Sequence, residues 1–189
     1  MMYIAGKKEA NSTFGKIIQA YTYAPWYKGV RYCHVELVFS NFEWFSAREF
    51  QNAVSFSYGP PSGDVLEQYD LFSLDSITKE REERIRRWCT SEMRRDDGSP
   101  CKYDVRGVLF SFLPIPIGWQ SAEDWFCSEI CAAALQYDGW LSGYSACSLS
   151  PRKCIELVLK ERTKYEIDTT VDNFLTNWMH FAASDTRNG

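Results

Sequence analysis

The chain has 189 residues, 45% of them hydrophobic and 16% aromatic, with a formal charge of −4. That length suits one domain whose core needs no disulfide staples. The acidic balance, with no long block of Lys and Arg, leaves no nucleic-acid footprint, and no run reaches the roughly 18 apolar residues of a membrane span.

Met1 to Ala5 is apolar enough for an opening strand. A helix is expected near residues 12 to 24, where Phe14, Ile17, Ile18 and Tyr21 form one stripe and Pro25 closes the run. The aromatic, basic loop Trp26-Tyr27-Lys28-Gly29-Val30-Arg31-Tyr32 then delivers the chain to Cys33-His34. From His34 the period becomes two, so His34, Glu36 and Val38 share one face and Val35, Leu37 and Phe39 the other. Ser40-Asn41 signals a turn, and Phe42 to Ala47 the returning strand of a hairpin. A three-residue turn sets Ser46 opposite Glu36, whereas a two-residue turn sends it to the other face; both registers stay open.

Residues 48 to 64 show no regular period and read as a loop around Gly59-Pro60-Pro61-Ser62-Gly63, either a plain connection or the border of a groove. Val65 to Leu74 reads as another strand. A charged helix from about Ile77 to Arg95 follows, burying Ile77, Ile85, Trp88, Cys89 and Met93 and turning its mixed charges to solvent. Asp96-Asp97-Gly98-Ser99-Pro100 breaks it. Phe110 to Gly118, with Pro114 and Pro116, cannot be regular helix throughout. Trp125-Phe126-Cys127-Ser128-Glu129-Ile130-Cys131 opens a short apolar helix that stops at Asp138-Gly139. Ser150-Pro151 starts another helix, ending near Lys160. Tyr165, Ile167 and Thr169 alternate as a last strand, and Val171, Phe174, Leu175 and Trp178 mark a C-terminal helix. With no repeat and no second core, the reading is one domain over residues 1–170 and a helical tail over 171–189.

The seven cysteines, at 33, 89, 101, 127, 131, 147 and 154, are odd in number and lack paired Cys-x-x-Cys spacing, so reduced thiols are expected and neither metal nor other cofactor. Cys127 stands apart because it opens a helix. There unpaired N–H groups and the helix dipole favour a thiolate and can hold an oxyanion. Free cysteines more often fill space, so a partner base decides the matter. Two histidines are present, and His180, in the tail, reads as surface or packing. Cys33, Cys89, Cys131 and Cys154 fit apolar stripes or core edges, while Cys101, beside Tyr103, stays open.

His34-Val35-Glu36-Leu37-Val38 on a strand, Tyr103-Asp104-x-x-Gly107, Phe126-Cys127-Ser128-Glu129 opening a helix and Ser150-Pro151 opening the next together resemble the circularly permuted papain-like hydrolases. These are the YiiX-like branch of the NlpC superfamily, which includes small proteins encoded by tailed bacteriophages. Histidine precedes cysteine here, as in the permuted members, and matching pieces run from about residue 1 to 160. The resemblance implies an α+β fold, with the nucleophile helix packed on an antiparallel sheet that presents the histidine. It also implies Cys127 as nucleophile and His34 as its proton partner. The family's third, orienting residue falls nearest Ser46; Glu36, on the face of His34, is the alternative, or a plain solvated carboxylate. Tyr103 resembles a family tyrosine that lines the oxyanion region together with Ser128, and Asp104 reads as structural. Three functions follow as expectations: hydrolysis of an amide in a cell-wall peptide; acyl transfer, thioester or lipid-ester cleavage on the same fold; and a virion or host-interaction protein without turnover. Met1 to Ala10 has no apolar h-region, so the expected location is the host cytoplasm or a phage particle.

Overall fold

The computed structural model describes residues 1–10, 12–21, 29–61, 64–111 and 123–162. Five short stretches with a period of two become strands: β1 (Tyr3–Lys7), β2 (His34–Val38), β3 (Glu43–Arg48), β4 (Ala53–Tyr58) and β5 (Tyr69–Ser73). They form one antiparallel sheet in the order β4-β3-β2-β1-β5. The helices are α1 (Thr13–Tyr21), α2 (Lys79–Ser91), α3 (Val105–Ser111), α4 (Cys127–Tyr137) and α5 (Pro151–Arg162). The architecture is α+β, with α4 packed on β2 and β3.

Alternation along the strands divides the apolar residues between two faces. Ile4, Val35, Leu37, Phe45 and Ala47 meet Ile130, Cys131, Ala134 and Leu135 of α4, Ile85 and Cys89 of α2, and Ile155 and Val158 of α5 in the main core. Each fully buried aliphatic or aromatic side chain contributes about 1.5–3 kcal/mol, so this face carries the fold. The other face holds a smaller cluster of Tyr3, Ala5, Val38, Trp44, Tyr69 and Leu71, against which Phe42 and Leu66 pack. A charge on that face is therefore also shut away from water.

Several expectations need correction. Residues 48–64 are not a plain loop: a 3₁₀ turn, Glu49–Gln51, precedes β4, which pairs with β3 along its whole length. Ala53-Val54-Ser55-Phe56-Ser57-Tyr58 does alternate, but it lies between Asn52, which turns the chain at φ 47, and the Gly59-Pro60-Pro61 break. The stretch from Val65 begins as a 3₁₀ turn, Leu66–Gln68, and only Tyr69–Ser73 is strand. In α1, Ile18 is buried, whereas Ile17 faces out. Helix α2 starts behind Thr78, whose Oγ1 accepts the Arg81 N–H at 3.4 Å, and stops four residues early at Ser91.

The charges of α2 are only in part a solvated face: Lys79, Glu80, Glu83 and Arg87 are exposed, while others are clamped. Glu82 is buried and accepts the Ser40 N–H at the hairpin turn. Arg86 forks onto Glu43 at 2.6 and 3.0 Å, and Arg81 and Arg84 both reach Asp138 at the end of α4. These bonds clamp α2 between the β2–β3 hairpin and α4. The expected strand at Tyr165–Thr169, the C-terminal helix with His180, the 170/171 boundary, the Pro114–Pro116 link and the Trp26–Lys28 loop lie outside the described residues.

One close approach in the sheet is testable. A Cβ on Gly6 of β1 would lie 2.6 Å from Cδ1 of the Tyr32 ring, which is buried and anchored by its hydroxyl to Asp70 at 2.8 Å. Gly6→Ala is expected to lower unfolding stability in urea by about 1–3 kcal/mol through overpacking, without changing the slope of the transition.

Candidate active site

Cys127 owes its position to the extended segment that precedes α4. Tyr103 and Trp125 form a parallel bridge, the Asp104 N–H donates to the Trp125 carbonyl at 2.9 Å, and the Trp125 N–H to that of Lys102 at 3.2 Å. Phe126 is the extended N-cap, so Cys127 is the first residue of the helix. Phe126 offers no capping side chain; the carboxylate of Glu129, three residues on, accepts its backbone N–H instead. Burial pushes Glu129 up to about 7 in spite of that bond. The Ser128 hydroxyl donates to the Leu149 carbonyl at 2.6 Å and ties the helix to the run into α5. Gly139, at φ 92, ends the helix where its sequence places the stop.

The sheet opens where this helix arrives. The β2–β3 ladder pairs Leu37 with Phe45 and Val38 with Trp44 and goes no further. Beyond it, the Val35 carbonyl accepts the Ser46 hydroxyl at 2.7 Å and the Cys131 thiol at 3.6 Å. Backbone hydrogen bonding at Val35 and at Ser128 favours a thiolate on Cys127, the effect of N–H groups directed at sulfur. Groups that would have paired two strands thus hold the first turn of α4 at the start of β2.

His34 begins β2 and shares a face with Glu36. Its Nε2 lies 3.1 Å from Glu36 Oε1, which leaves Nδ1 as the nitrogen for the Cys127 sulfur. Glu36 is fully buried. Its second oxygen, Oε2, accepts from Arg48 Nη2 at 2.6 Å, and Arg48, also fully buried, donates further to the Trp44 carbonyl at 3.1 Å and to the Ser55 carbonyl and hydroxyl at 3.2 and 3.0 Å. His34, Glu36 and Arg48 therefore form one hydrogen-bonded chain, and the Cys127 sulfur is electrostatically coupled to its His34 end.

The charges in that chain set one another. Burial pushes the Glu36 carboxyl up, but the Arg48 guanidinium and the His34 ring outweigh it and hold the group below the usual carboxylate range. Burial pushes His34 down, and Cys127 together with Glu36 reverses this and lifts it to about 9. For Cys127, burial raises the thiol, while the His34 charge, its hydrogen bond and the Val35 and Ser128 backbone bring it below the ordinary thiol value. Tyr103 is also buried beside Cys127, and burial with the neighbouring sulfur raises its hydroxyl and keeps it protonated, so it can serve as a donor. A thiolate–imidazolium pair with an N–H and a phenol at the sulfur can attack a carbonyl carbon and receive the resulting oxyanion.

Of the residues singled out from sequence, Cys127, His34, Glu36 and Tyr103 come together. The Ser128 side chain is directed away, leaving its backbone at the sulfur. Ser46 points its hydroxyl at Val35 rather than at the imidazole. Asp104 is structural, accepting the Gly107 N–H at 2.7 Å. Cys101 sits in the main core, where burial raises its thiol, and Cys33 donates to the Lys7 and Glu9 carbonyls. Sequence reasoning missed Arg48. Strand parity was the available signal, since Arg48 lies two residues beyond Ser46 and so shares its face.

A cavity of about 440 Å³ opens at the site, lined in part by Lys7, Ile18, His34, Phe50, Asp64 and Tyr103. Cys127 itself is 1% exposed and is not among the residues that line the cavity. The described residues contain no group of three or more His, Cys, Asp or Glu able to hold a metal, and none of their helices is long and apolar enough to cross a membrane. No family model, curated protein or solved structure matches this chain.

Arg48→Ala breaks a buried ion pair and leaves the Glu36 charge with His34 alone, with an expected loss of about 3–5 kcal/mol at neutral pH. Glu36 is held low in the wild type, so its contribution is present above the unfolded value of about 4.3 and is lost as pH falls through the folded one. The stability gap between wild type and Arg48→Ala, followed by denaturant titration, is expected to narrow below about pH 4.

Proposed function

We propose that the chain is a cysteine hydrolase of the permuted papain-like type, cleaving an amide bond through an acyl-enzyme. The observation that carries this reading is His34 standing between Cys127 and Glu36, with Glu36 fixed in turn by Arg48. Two features of the Phe126-Cys127-Ser128-Glu129 motif add support: sulfur at the first position of a helix, and backbone N–H groups beside it. The order histidine strand before cysteine helix, with α4 laid on an antiparallel sheet, agrees with the permuted arrangement. A cell-wall peptide is the substrate class that goes with this reading, and a bacterial cytoplasm or phage particle the setting.

Thiolate attack forms the carbon–sulfur bond and places charge on the carbonyl oxygen, which the helix N-terminus and the Tyr103 hydroxyl are arranged to receive. His34 then gives its proton to the departing nitrogen as the carbon–nitrogen bond breaks. A water, deprotonated by His34, splits the thioester and restores the thiol. Glu36 holds the ring in the rotamer that faces sulfur and stabilises its charge; Arg48 keeps Glu36 ionised and aimed.

The apolar walls of the cavity, Ile18 and Phe50 among them, favour a second reading on the same machinery, in which an acyl chain is moved or released. Purified peptidoglycan tested beside acyl thioesters and lipid esters separates the two. Both need the dyad. Cys127→Ala and His34→Ala are expected to abolish turnover, and full activity in Cys127→Ala would overturn the reading in favour of a binding protein.

The pH profile distinguishes the two candidate orienting residues. The reactive ion pair exists above the lowered Cys127 value and below the His34 value of about 9. Alkylation of Cys127 by iodoacetamide, followed by mass spectrometry, is expected to hold a plateau across that window. Glu36→Gln removes one of the two charges that raise His34, the other being on Cys127, so the upper edge moves to lower pH. Ser46→Ala removes one buried hydrogen bond, with a stability loss of about 1 kcal/mol, and leaves both edges in place.

A further inference from the structure

Directly beside His34, on the next strand, is a cation that the proposed mechanism does not use. Lys7 of β1 pairs in register with His34 of β2 on one side and with Tyr69 of β5 on the other, so the three side chains stand in a row on one face at strand spacing, about 4.8 Å apart. Lys7 Nζ meets Asp64 Oδ1 at 2.5 Å, and the Tyr69 hydroxyl donates to the other carboxylate oxygen at 2.8 Å. The Lys7 and Asp64 side chains are only 11% and 10% exposed, yet both line the cavity that His34 and Tyr103 border.

An ion pair so nearly buried contributes little net stability and is often replaceable by apolar groups without loss. Its position gives it another use. An ammonium has three N–H donors, and Asp64 takes one. Asp64, fixed by Tyr69, holds the ammonium at the border of the cavity. Glu49, exposed and accepting from Ser12 at 3.3 Å, borders the same cavity and disfavours a second anionic group there.

Direction along the sheet says which part of a substrate Lys7 would meet. Helix α4 and its sulfur pack on β2 and β3, whereas β1 lies across β2 from them. In strand order the His34 strand thus lies between β3, on which α4 also packs, and the strand of Lys7. Because His34 hands its proton to the leaving nitrogen, the leaving group lies on the Lys7 side.

We infer that Lys7, held by Asp64 and Tyr69, is a specificity residue that binds a carboxylate on the leaving group, so the substrates are amides whose released amine is an amino acid or short peptide with a free carboxylate. This rests on the cysteine-hydrolase reading above. In the first half-reaction the sulfur–carbon bond forms, the carbon–nitrogen bond breaks and the nitrogen takes the His34 proton. The product leaves as an amino acid, its carboxylate released from Lys7, and water then hydrolyses the thioester.

The test uses two affinity labels of equal shape, chloroacetyl-glycine and chloroacetyl-glycinamide, on the full chain. In each, the Cys127 thiolate displaces chloride, and the glycine end lies where a leaving amino acid would. The carboxylate label is expected to modify Cys127 about tenfold faster, the size of one charge-assisted hydrogen bond. Lys7→Gln should bring the ratio near one, Lys7→Arg should keep most of it, and Lys8→Gln, at the more exposed Lys8–Asp70 pair, should leave it unchanged. Equal rates for the two labels in the wild type, with Cys127 still reacting with iodoacetamide in a His34-dependent way, overturn the inference and spare the hydrolase reading. A ratio that falls equally in Lys8→Gln also overturns it, as a general charge effect. Failure of Cys127 to react with iodoacetamide overturns both.

Discussion

A carboxylate with no exposed surface has to be paired or protonated, and Glu36 is paired on both oxygens. One oxygen faces the imidazole and the other a guanidinium that is itself bonded to the backbone of two strands. The Arg48 charge is what allows Glu36 to stay ionised, and ionised Glu36 is what helps His34 stay charged in a place where burial alone would neutralise it. That charge in turn lowers the neighbouring thiol. A mutation in any one of the four groups therefore alters the protonation of the others, and double substitutions along the chain should not be additive.

The sheet and helix α4 make that chain possible through a small irregularity. If β3 continued to pair with β2 beyond Leu37, the Val35 backbone would be occupied within the sheet and the first turn of α4 would have no polar partners there. Instead the ladder stops, Ser46 and Cys131 satisfy the Val35 carbonyl, and its amide serves the sulfur. Ser46 thus shapes the site by holding the gap rather than by touching the ring. The charged clamps from α2 to Glu43, Ser40 and Asp138 fix the two elements on either side of that gap.

The parts of this arrangement governed by local chemistry were legible in the sequence. Cysteine at a helix start, a glycine stop at 139, Ser-Pro ahead of α5, and the shared face of His34 and Glu36 all follow from short-range rules and appear in the structure. What depended on strand register was not. The choice between Ser46 and Glu36 beside His34 turned on where β2 and β3 separate, a place where Cys131 of α4, distant in sequence, meets the Val35 and Phe45 carbonyls. Arg48 was invisible for the same reason, because its partner is set by tertiary contact and its neighbours had been read as the start of a loop. The clamped charges of α2, Glu82 and Arg86 among them, were not distinguishable from its solvated ones, Glu83 and Arg87, because mixed sign looks alike in both settings.

The central claim is that His34 is held as a cation by Glu36 and the Cys127 thiolate. Its most direct measurement is the titration of the imidazole by NMR in the full chain, with His180→Gln used to assign the two histidine signals. A His34 midpoint near 9, falling sharply in Glu36→Gln and in Cys127→Ala, is the expected result. A midpoint at or below about 6.5, insensitive to both substitutions, would contradict it.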